Sequence, residues 1–360
     1  MKNIYVHLFD RLKEKKPIVM ATIVETKGST PQVCGASALF SSEGLIEGTL
    51  GGGLLEADAQ KKAFQALEER TSLLSEFNLK ADISLEEGAI CGGEVKILID
   101  SCPEEHKKTF HNLNQSLVKR QSGVLATFIN KLSRERVSLV RYWIEKNRKL
   151  VSNQEKHLFL FQEEIKTVLS KGSARLLKIK ENILPEKTKD NFLFLEPIYP
   201  LPQLVIAGAG HIGQAVAHLG SLLNFEVTVI DDRDEFANKE RLPDADLIIV
   251  KNFDKSLKDF PISPDTYMVI VTRGHHHDAT VLRQCLTSKA AYIGMIGSSR
   301  KIELMRKKFL EEGWATSQQF GQVYAPIGID INSKTVQEIA VSIAAQLVNV
   351  RSQIQNDMRT

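Results

Sequence analysis

The sequence predicts an α/β protein of two domains, a mixed α+β domain with glycine-rich loops followed by a doubly wound parallel sheet. Three observations carry that expectation. The chain has 360 residues, more than one hydrophobic core commonly serves. The apolar run from Leu204 enters glycines at 208, 210 and 213, continues with helix-spaced apolar residues to Leu223, and gives way to an alternating segment, Phe225–Ile230, that ends at Asp231. Pro197, Pro200 and Pro202 stand just before that unit, so the domains are expected at residues 1–190 and 200–350.

In the first domain a short helix over Val6–Lys16 leads to a strand over Ile18–Glu25 that alternates little, the pattern of a strand buried on both faces. Gly28, Ser29, Thr30 and Pro31 form a turn whose two hydroxyls and free glycine amide also make it a candidate anion nest. Strands at Ala36–Phe40 and up to Thr49 flank a turn at Gly44, and Gly51-Gly52-Gly53-Leu54-Leu55-Glu56 opens a long helix, Ala57–Arg70. Glycine is the poorest helix former after proline. Three at a helix start are explained by close approach of a ligand to the backbone, with several N–H groups free for an anion. A strand over Thr71–Asn78 precedes Cys91-Gly92-Gly93, and a strand over Val95–Asp100 follows. A cysteine trailed by two glycines leaves two readings open, a buried structural thiol or an exposed reactive one. From Gly123 the order recurs: strands at Val124–Asn130 and Val137–Trp143, a short strand near Leu150, a helix over Glu163–Ser170 and a strand over Ala174–Ile179. This predicts a degenerate internal duplication. The charged stretch Leu184–Asn191 and the prolines after it predict the domain boundary.

In the second domain Gly208, Gly210 and Gly213 have the G-x-G-x-x-G spacing of a Rossmann-like fold. The first glycine permits the turn, the second lets a pyrophosphate approach the backbone, and the third lets helix and strand pack closely. His211 then begins a helix whose N-terminus faces the phosphates. Asp231, about 20 residues on, is placed to read a ribose hydroxyl, with Asp232 and Arg233 beside it. Strands at Asp246–Val250, Tyr267–Val271, Ala291–Ile296 and Gln322–Pro326 each end in a polar loop, and in such sheets ligands bind beyond the carboxyl ends of the strands. Gly297 and Ser298 open the helix Lys301–Leu310 as a further candidate anion site, and Asp330 lies in the last of these loops. Thr335-x-x-Glu338 is a capping box for the final helix. The run His275, His276, His277 cannot aim every imidazole at one ion from one loop, which favours one ring lining the crevice over a metal site.

Lysine and arginine number 47 against 44 acids, and no basic block is interleaved with aromatics, so nucleic acid is not the expected partner. The first residues mix Asp10 and Glu14 with basic residues and lack an apolar core, which predicts no signal peptide. The glycines of Leu204–Ile230 mark that apolar window as a soluble core unit rather than a membrane span. Four cysteines without C-x-x-C or zinc spacing suit a reducing cytoplasm.

Two classes of function fit these residues. One is a nicotinamide-dependent oxidoreductase or dinucleotide sensor using Gly208–Gly213 and Asp231, for which no proton-transfer residue can be singled out, so no catalytic residue is assigned. The other is a carrier in which glycine-rich anion sites and a soft thiolate hold a phosphorylated, metal-bearing cofactor.

Taken together, Gly28-Ser-Thr-Pro31, Gly48-Thr-Leu-Gly-Gly-Gly53 with Glu56, Cys91-Gly-Gly93, Gly208–Gly213, Asp231-Asp-Arg233 and Ala325-Pro-Ile-Gly-Ile-Asp330 resemble the xanthine dehydrogenase accessory family (XdhC/CoxI) across both domains. The resemblance implies a cytoplasmic factor that binds molybdenum cofactor, protects its sulfurated form and helps insert it into a xanthine dehydrogenase-like hydroxylase, although members sometimes carry the enzyme's name. It makes Cys91 the candidate molybdenum-side thiol and Gly51–Gly53 the candidate cradle for the pterin phosphate. It names the hydroxylase apoenzyme as partner, with a cysteine desulfurase and a homodimer left open. NAD(P), or the nucleotide half of a dinucleotide molybdenum cofactor, would occupy the second domain. One departure is Leu54: relatives often carry a polar residue or Cys after the triple glycine, so a second sulfur or imidazole ligand is absent there.

Overall fold

A computed structural model describes residues 3–79, 92–146, 156–179, 191–258 and 260–357. Cys91, the short strand expected near Leu150 and most of the charged stretch after Leu184 lie outside them. The chain divides into two compact units, Asn3–Pro200 and Leu201–Met358.

Among the described residues, the first unit is one nine-stranded sheet with helices on both faces. In chain order it contains α1 (Ile4–Lys13), β1 (Val19–Lys27), β2 (Ser37–Ser41), β3 (Gly44–Gly48), α2 (Gly53–Glu69), β4 (Ser72–Asn78) and β5 (Glu94–Asp100). There follow α3 (Lys107–Val118), β6 (Gly123–Lys131), β7 (Arg136–Glu145), the single turn α4 (Lys156–Phe159), α5 (Gln162–Lys171), β8 (Arg175–Ile179) and β9 (Asn191–Ile198). The sheet order is β3-β2-β1-β5-β4-β7-β6-β9-β8. Within it, β2-β1-β5-β4 and β7-β6-β9-β8 have the same connectivity, each preceded by a helix and each with a helix before its last two strands. β1 lacks alternation because both its faces are covered: Val19, Ala21 and Ile23 lie under α2, and Met20 lies under α1 and α3. The sheet curls until β1 approaches β8.

Apart from the single turn α4, two elements of the first unit differ from the sequence expectation. α3 is absent from it, although Phe110, Leu113 and Leu117 repeat at helical spacing and are buried. β9 runs through the stretch expected to link the domains. Pro197 is tolerated there because it lies beyond Leu195, the last residue paired with β8, so its missing N–H falls on an unpaired flank.

The sheet carries a buried polar cluster. Asp100 on β5 and Arg141 on β7 form an ion pair with both side chains almost fully buried. Asp100 also accepts hydrogen bonds from Ser72 and from the Cys102 N–H, and Arg141 Nε donates to Thr127. The Tyr5 hydroxyl donates to Glu196 on β9. Burial pushes Glu196 up to about 7, against the Tyr5 hydroxyl and Arg141, which pull it down.

The second unit contains β10 (Gln203–Ala207), α6 (His211–Leu222), β11 (Glu226–Asp231), β12 (Leu247–Val250), β13 (Thr266–Ile270) and α7 (His275–Cys285). It continues with β14 (Tyr292–Met295), α8 (Ser299–Glu311), α9 (Ser317–Gly321) and α10 (Val336–Asp357). Its five strands are all parallel in the order β12-β11-β10-β13-β14, the doubly wound order. α6 and α10 share the core on one face, while α7, α8 and α9 share the core on the other. The sixth strand expected at Gln322–Pro326 is reduced to one bridge, Gly294 to Tyr324. Pro326 has no N–H to donate, and the chain beyond it turns onto α10, where Gln346 accepts from the Gly328 N–H and Ser342 donates to the Ile329 carbonyl. The capping box forms: the Glu338 N–H donates to Thr335 Oγ1 and the Thr335 N–H to Glu338 Oε2. No helix among the described residues is long and apolar enough to cross a membrane.

Two stability outcomes follow. Arg141→Met leaves Asp100 buried without its counter-charge, and the first unit is expected to lose about 3–5 kcal/mol in denaturant unfolding. Glu196 has a folded pKa above its ordinary 4.5, so its contribution is complete below that value and declines as pH rises through about 7. Glu196→Gln should therefore flatten the unfolding midpoint between pH 4.5 and 7, and an unchanged slope would remove Glu196 as its cause.

Candidate functional site

In the first unit three of the expected loops converge. A Cβ at Gly93 would lie 2.4 Å from the Ser29 carbonyl oxygen and 2.6 Å from that of Lys27, and one at Gly28 would lie 3.3 Å from Gly93 Cα. A Cβ at Gly51 would lie 2.6 Å from Pro31 Cβ. These contacts seat Gly28–Pro31, Gly51–Gly53 and Gly92–Gly93 side by side. Gly51, Gly52 and Gly53 all have positive φ, of 109°, 71° and 59°. Among the described residues, a side chain at Gly52, Gly53 or Gly92 would meet nothing. α2 begins at Gly53, so its first N–H groups have no acceptor within the helix. Glu56 belongs to the scaffold of this loop: its Oε2 accepts from Thr49 Oγ1 at 2.8 Å and from the Leu50 N–H at 2.9 Å, while Thr49 Oγ1 accepts from the Gly51 N–H. Thr30 Oγ1 is likewise used locally, donating to the Gln32 carbonyl. Of the cysteines, Cys34 is half-buried and donates to the Val24 carbonyl, and burial pushes its thiol up to about 12. Cys102 and Cys285 are buried.

In the second unit the three glycines divide by what surrounds them. A Cβ at Gly208 would lie 2.4 Å from the Val271 carbonyl oxygen, and one at Gly213 would lie 1.9 Å from the Gly208 carbonyl oxygen, so the fold itself excludes side chains there. Gly210 has an ordinary extended backbone, φ −68°, and a Cβ there would meet nothing. The protein gives no internal reason for glycine at 210, and the open space is the one a pyrophosphate would use. His211, the first residue of α6, is exposed beside it.

Asp231 is 1% exposed and is already bonded on both oxygens. Oδ2 accepts from the Ala209 N–H at 2.8 Å, tying the glycine loop to β11, and Arg233 clamps the carboxylate through Nε at 2.9 Å and Nη2 at 3.0 Å. Burial pushes its pKa up, but Arg233 and the Ala209 N–H more than offset this and hold it below the usual carboxylate range. Arg233 in turn stacks on Phe236 at 3.9 Å. A ribose hydroxyl reaching Asp231 would therefore share an acceptor already in use. Asp232 makes fewer hydrogen bonds: Oδ2 accepts from Arg273 at 2.8 Å, while buried Oδ1 accepts none among the described residues and lies 4.0 Å from Arg233 Nε.

The loop after β13 supplies residues to which the sequence assigned no role. Asp278, fully buried in the first turn of α7, accepts from Thr272 Oγ1 at 2.6 Å, from the Thr272 N–H at 3.1 Å and from Lys301 Nζ at 2.7 Å. It fixes the β13 loop and links it to α8, whose N-cap is Ser298. A Cβ at Gly297 would press on Ile302 Cδ1 at 2.8 Å, a packing reason for that glycine. Asp330 is exposed and its Oδ1 accepts from the Asn332 N–H, so its carboxylate closes its own turn. His277 packs against Phe253, whereas His275 and His276 are exposed along a groove between α7 and α8. Among the described residues no cluster of three or more His, Cys, Asp or Glu could hold a metal ion.

Two profiles of one family match the chain in order: the XdhC and CoxI family over residues 11–78 and the XdhC Rossmann domain over residues 204–347. The first match contains the loops at 28–31 and 51–53, and the second contains Gly208–Gly213 and Asp231–Arg233. The chain is similar to a probable xanthine dehydrogenase subunit of Bacillus subtilis, at 26% identity over 98% of this chain and 99% of that protein. It is also similar to the molybdenum cofactor insertion chaperone PaoD of Escherichia coli, at 22% identity over 97% of this chain and 88% of PaoD. A crystal structure of a xanthine dehydrogenase from Bacillus halodurans shares the fold with a TM-score of 0.72 and 25% identity, covering 97% of this chain and 96% of that one.

The division among the glycines gives a stability test. Gly213→Ala should lower the unfolding midpoint of the second unit by an amount worth about 1–3 kcal/mol, since backbone must shift. Gly210→Ala should stay within about 0.5 kcal/mol of wild type. Equal losses for the two would mean that Gly210 is structural.

Proposed function

The chain belongs to the XdhC and CoxI family, and from that premise we propose that it is an accessory factor that carries molybdenum cofactor as cargo and delivers it to a xanthine dehydrogenase-like hydroxylase. The observation that carries this reading is the convergence of Gly28–Pro31, Gly51–Gly53 and Gly92–Gly93 beside the N-terminus of α2. The space that Gly52, Gly53 and Gly92 leave among the described residues, with the first N–H groups of α2 lacking an acceptor within the helix, fits a phosphate-bearing ligand lying against backbone. Cys91 immediately precedes Gly92 in sequence and supplies the sulfur in this reading, a soft donor suited to a soft metal centre. The similarity to PaoD, a molybdenum cofactor insertion chaperone, supports the same cargo. The partners would be the hydroxylase apoenzyme and a cysteine desulfurase, in the cytoplasm.

The second unit has the features of a nucleotide site in its own right. The space at Gly210 and the Oδ1 of Asp232, which accepts no hydrogen bond among the described residues, fit a pyrophosphate and a hydroxyl. They favour NAD(P), or the nucleotide half of a dinucleotide molybdenum cofactor, as the ligand there. The same features support a second reading, a dinucleotide-dependent oxidoreductase or sensor. The accessory reading is preferred because it alone uses the glycine cradle of the first unit.

Cofactor retention on purification tests the proposal. Gly92→Val should fold, because a side chain there meets nothing among the described residues, yet retain at least tenfold less molybdenum cofactor, and Cys91→Ser should lose a comparable share. Retention equal to wild type by Gly92→Val would remove the cradle from the mechanism, and equal retention by Cys91→Ser would remove the thiol. NAD-linked turnover by a sample free of pterin would favour the oxidoreductase.

For the nucleotide, Asp231 alone would repel a 2′-phosphate, but Arg233 neutralises it. Arg233→Ala should therefore shift preference toward NAD over NADP by roughly tenfold, the size of one charge-assisted hydrogen bond. Calorimetric titration with both dinucleotides reads this directly, and an unchanged ratio would show that Arg233 does not face the ribose.

A further inference from the structure

The groove between α7 and α8 is lined by Ser298 and Lys301 at the start of α8 but by no residue of Gly208–Gly213 or Asp231–Arg233. Its volume is about 610 Å³, within the range of small-molecule sites. Leu304, Met305 and Trp314 make an apolar floor, with Leu304 63% exposed. Around that floor stand Arg283, Arg300 and Lys308.

The charges in the groove are unbalanced in a specific way. On α8, Arg306 pairs with Glu303 and Lys307 with Glu311, one turn apart. The groove-lining cations of the same helix, Arg300 and Lys308, have no carboxylate partner among the described residues, and neither has Arg283 on α7. Arg283 and Lys308 both lie over the Trp314 ring, at 4.0 Å and 5.5 Å from its centroid. Lys301 also lines the groove but is neutralised by buried Asp278, and among the described residues no carboxylate side chain lines the groove. Like charges gathered on a concave wall raise the local potential and attract an anion. The apolar floor adds a surface that inorganic phosphate would leave bare.

We infer that this groove is a second ligand site of the Rossmann unit, taking a small organic phosphate that carries a flat ring, of the size of a nucleoside diphosphate. The phosphates would lie against Arg300 and Lys308, whose guanidinium and ammonium groups suit them, and the ring would cover Leu304 and Met305 beside Trp314.

Trp314 gives a local readout, because the chain's only other tryptophan, Trp143, is buried in the first unit. The full chain is titrated with ADP and with inorganic phosphate while tryptophan fluorescence is followed. The expected result is a saturable change with ADP that is absent from Trp314→Phe. It should weaken at least tenfold in Arg300→Glu/Lys308→Glu, and half-saturation by phosphate should require at least ten times more ligand. Gly210→Val, which blocks the glycine-rich loop, should keep the change. An ADP response unaffected by the double charge reversal would overturn the inference. So would loss of the response in Gly210→Val, equal affinity for ADP and phosphate, or a response to a polyglutamate peptide but not to ADP, which would mark a protein-docking face. Because the readout is independent of pterin and of Cys91, its failure leaves the molybdenum-cofactor proposal untouched.

Discussion

Backbone approaches too close for any Cβ govern both units. In the second unit Gly213 lies against the Gly208 carbonyl and Gly208 against that of Val271, so the first turn of α6, the end of β10 and the end of β13 are locked in one place. In the first unit Gly93 lies against the carbonyls of Ser29 and Lys27 in the same way. A side chain at any of these points would move backbone rather than a flexible neighbour. That rigidity allows the neighbouring glycines, 210 in one unit and 52, 53 and 92 in the other, to present open space without the loops collapsing into it.

Polar bonds then hold what the close approaches position. Asp231 ties the glycine loop to β11 through the Ala209 N–H, Arg273 joins the β13 loop to Asp232, and Asp278 joins that loop to Lys301 on α8. Each link couples the ends of different strands, and together they rim one end of the parallel sheet. Glu56 and Thr49 do the same for the triple-glycine loop. Carboxylates serve here as fasteners because they can accept several hydrogen bonds at once, and the buried ones, Asp231 and Asp278, are costly to leave unpaired. The same economy appears inside the first unit, where Asp100 holds Arg141, Ser72 and the Cys102 N–H.

Much of this was legible in the sequence. G-x-G-x-x-G between two strands specified the second unit's architecture, because the turn, the close packing and the parallel crossover all need those glycines at that spacing. A recurring order of strands and helices in the sequence suggested an internal repetition of the first unit, and the two halves of the described sheet have the same connectivity. The helix at Lys107–Val118 was written in Phe110, Leu113 and Leu117 but in a segment otherwise polar. β9 was obscured by Pro185, Pro197 and the charges before it, since a proline is compatible with a strand only where one flank is free, and which flank is free depends on the sheet order. Cys91 lies outside the described residues.

The sequence by itself determined which positions had to be glycine, where strands gave way to helices and which family the chain belongs to, because these depend on local backbone sterics and on the order of residues. Only the tertiary structure decided how the polar residues are used. Asp231 stands where a ribose would be read, yet its oxygens are taken by Arg233 and Ala209, while Glu56 and Asp330 satisfy their own loops. It likewise separated Arg300 and Lys308, without a carboxylate partner among the described residues, from paired Arg306 and Lys307. A hydrogen bond or a vacant space depends on which atoms arrive from distant parts of the chain, and spacing along the sequence does not encode that.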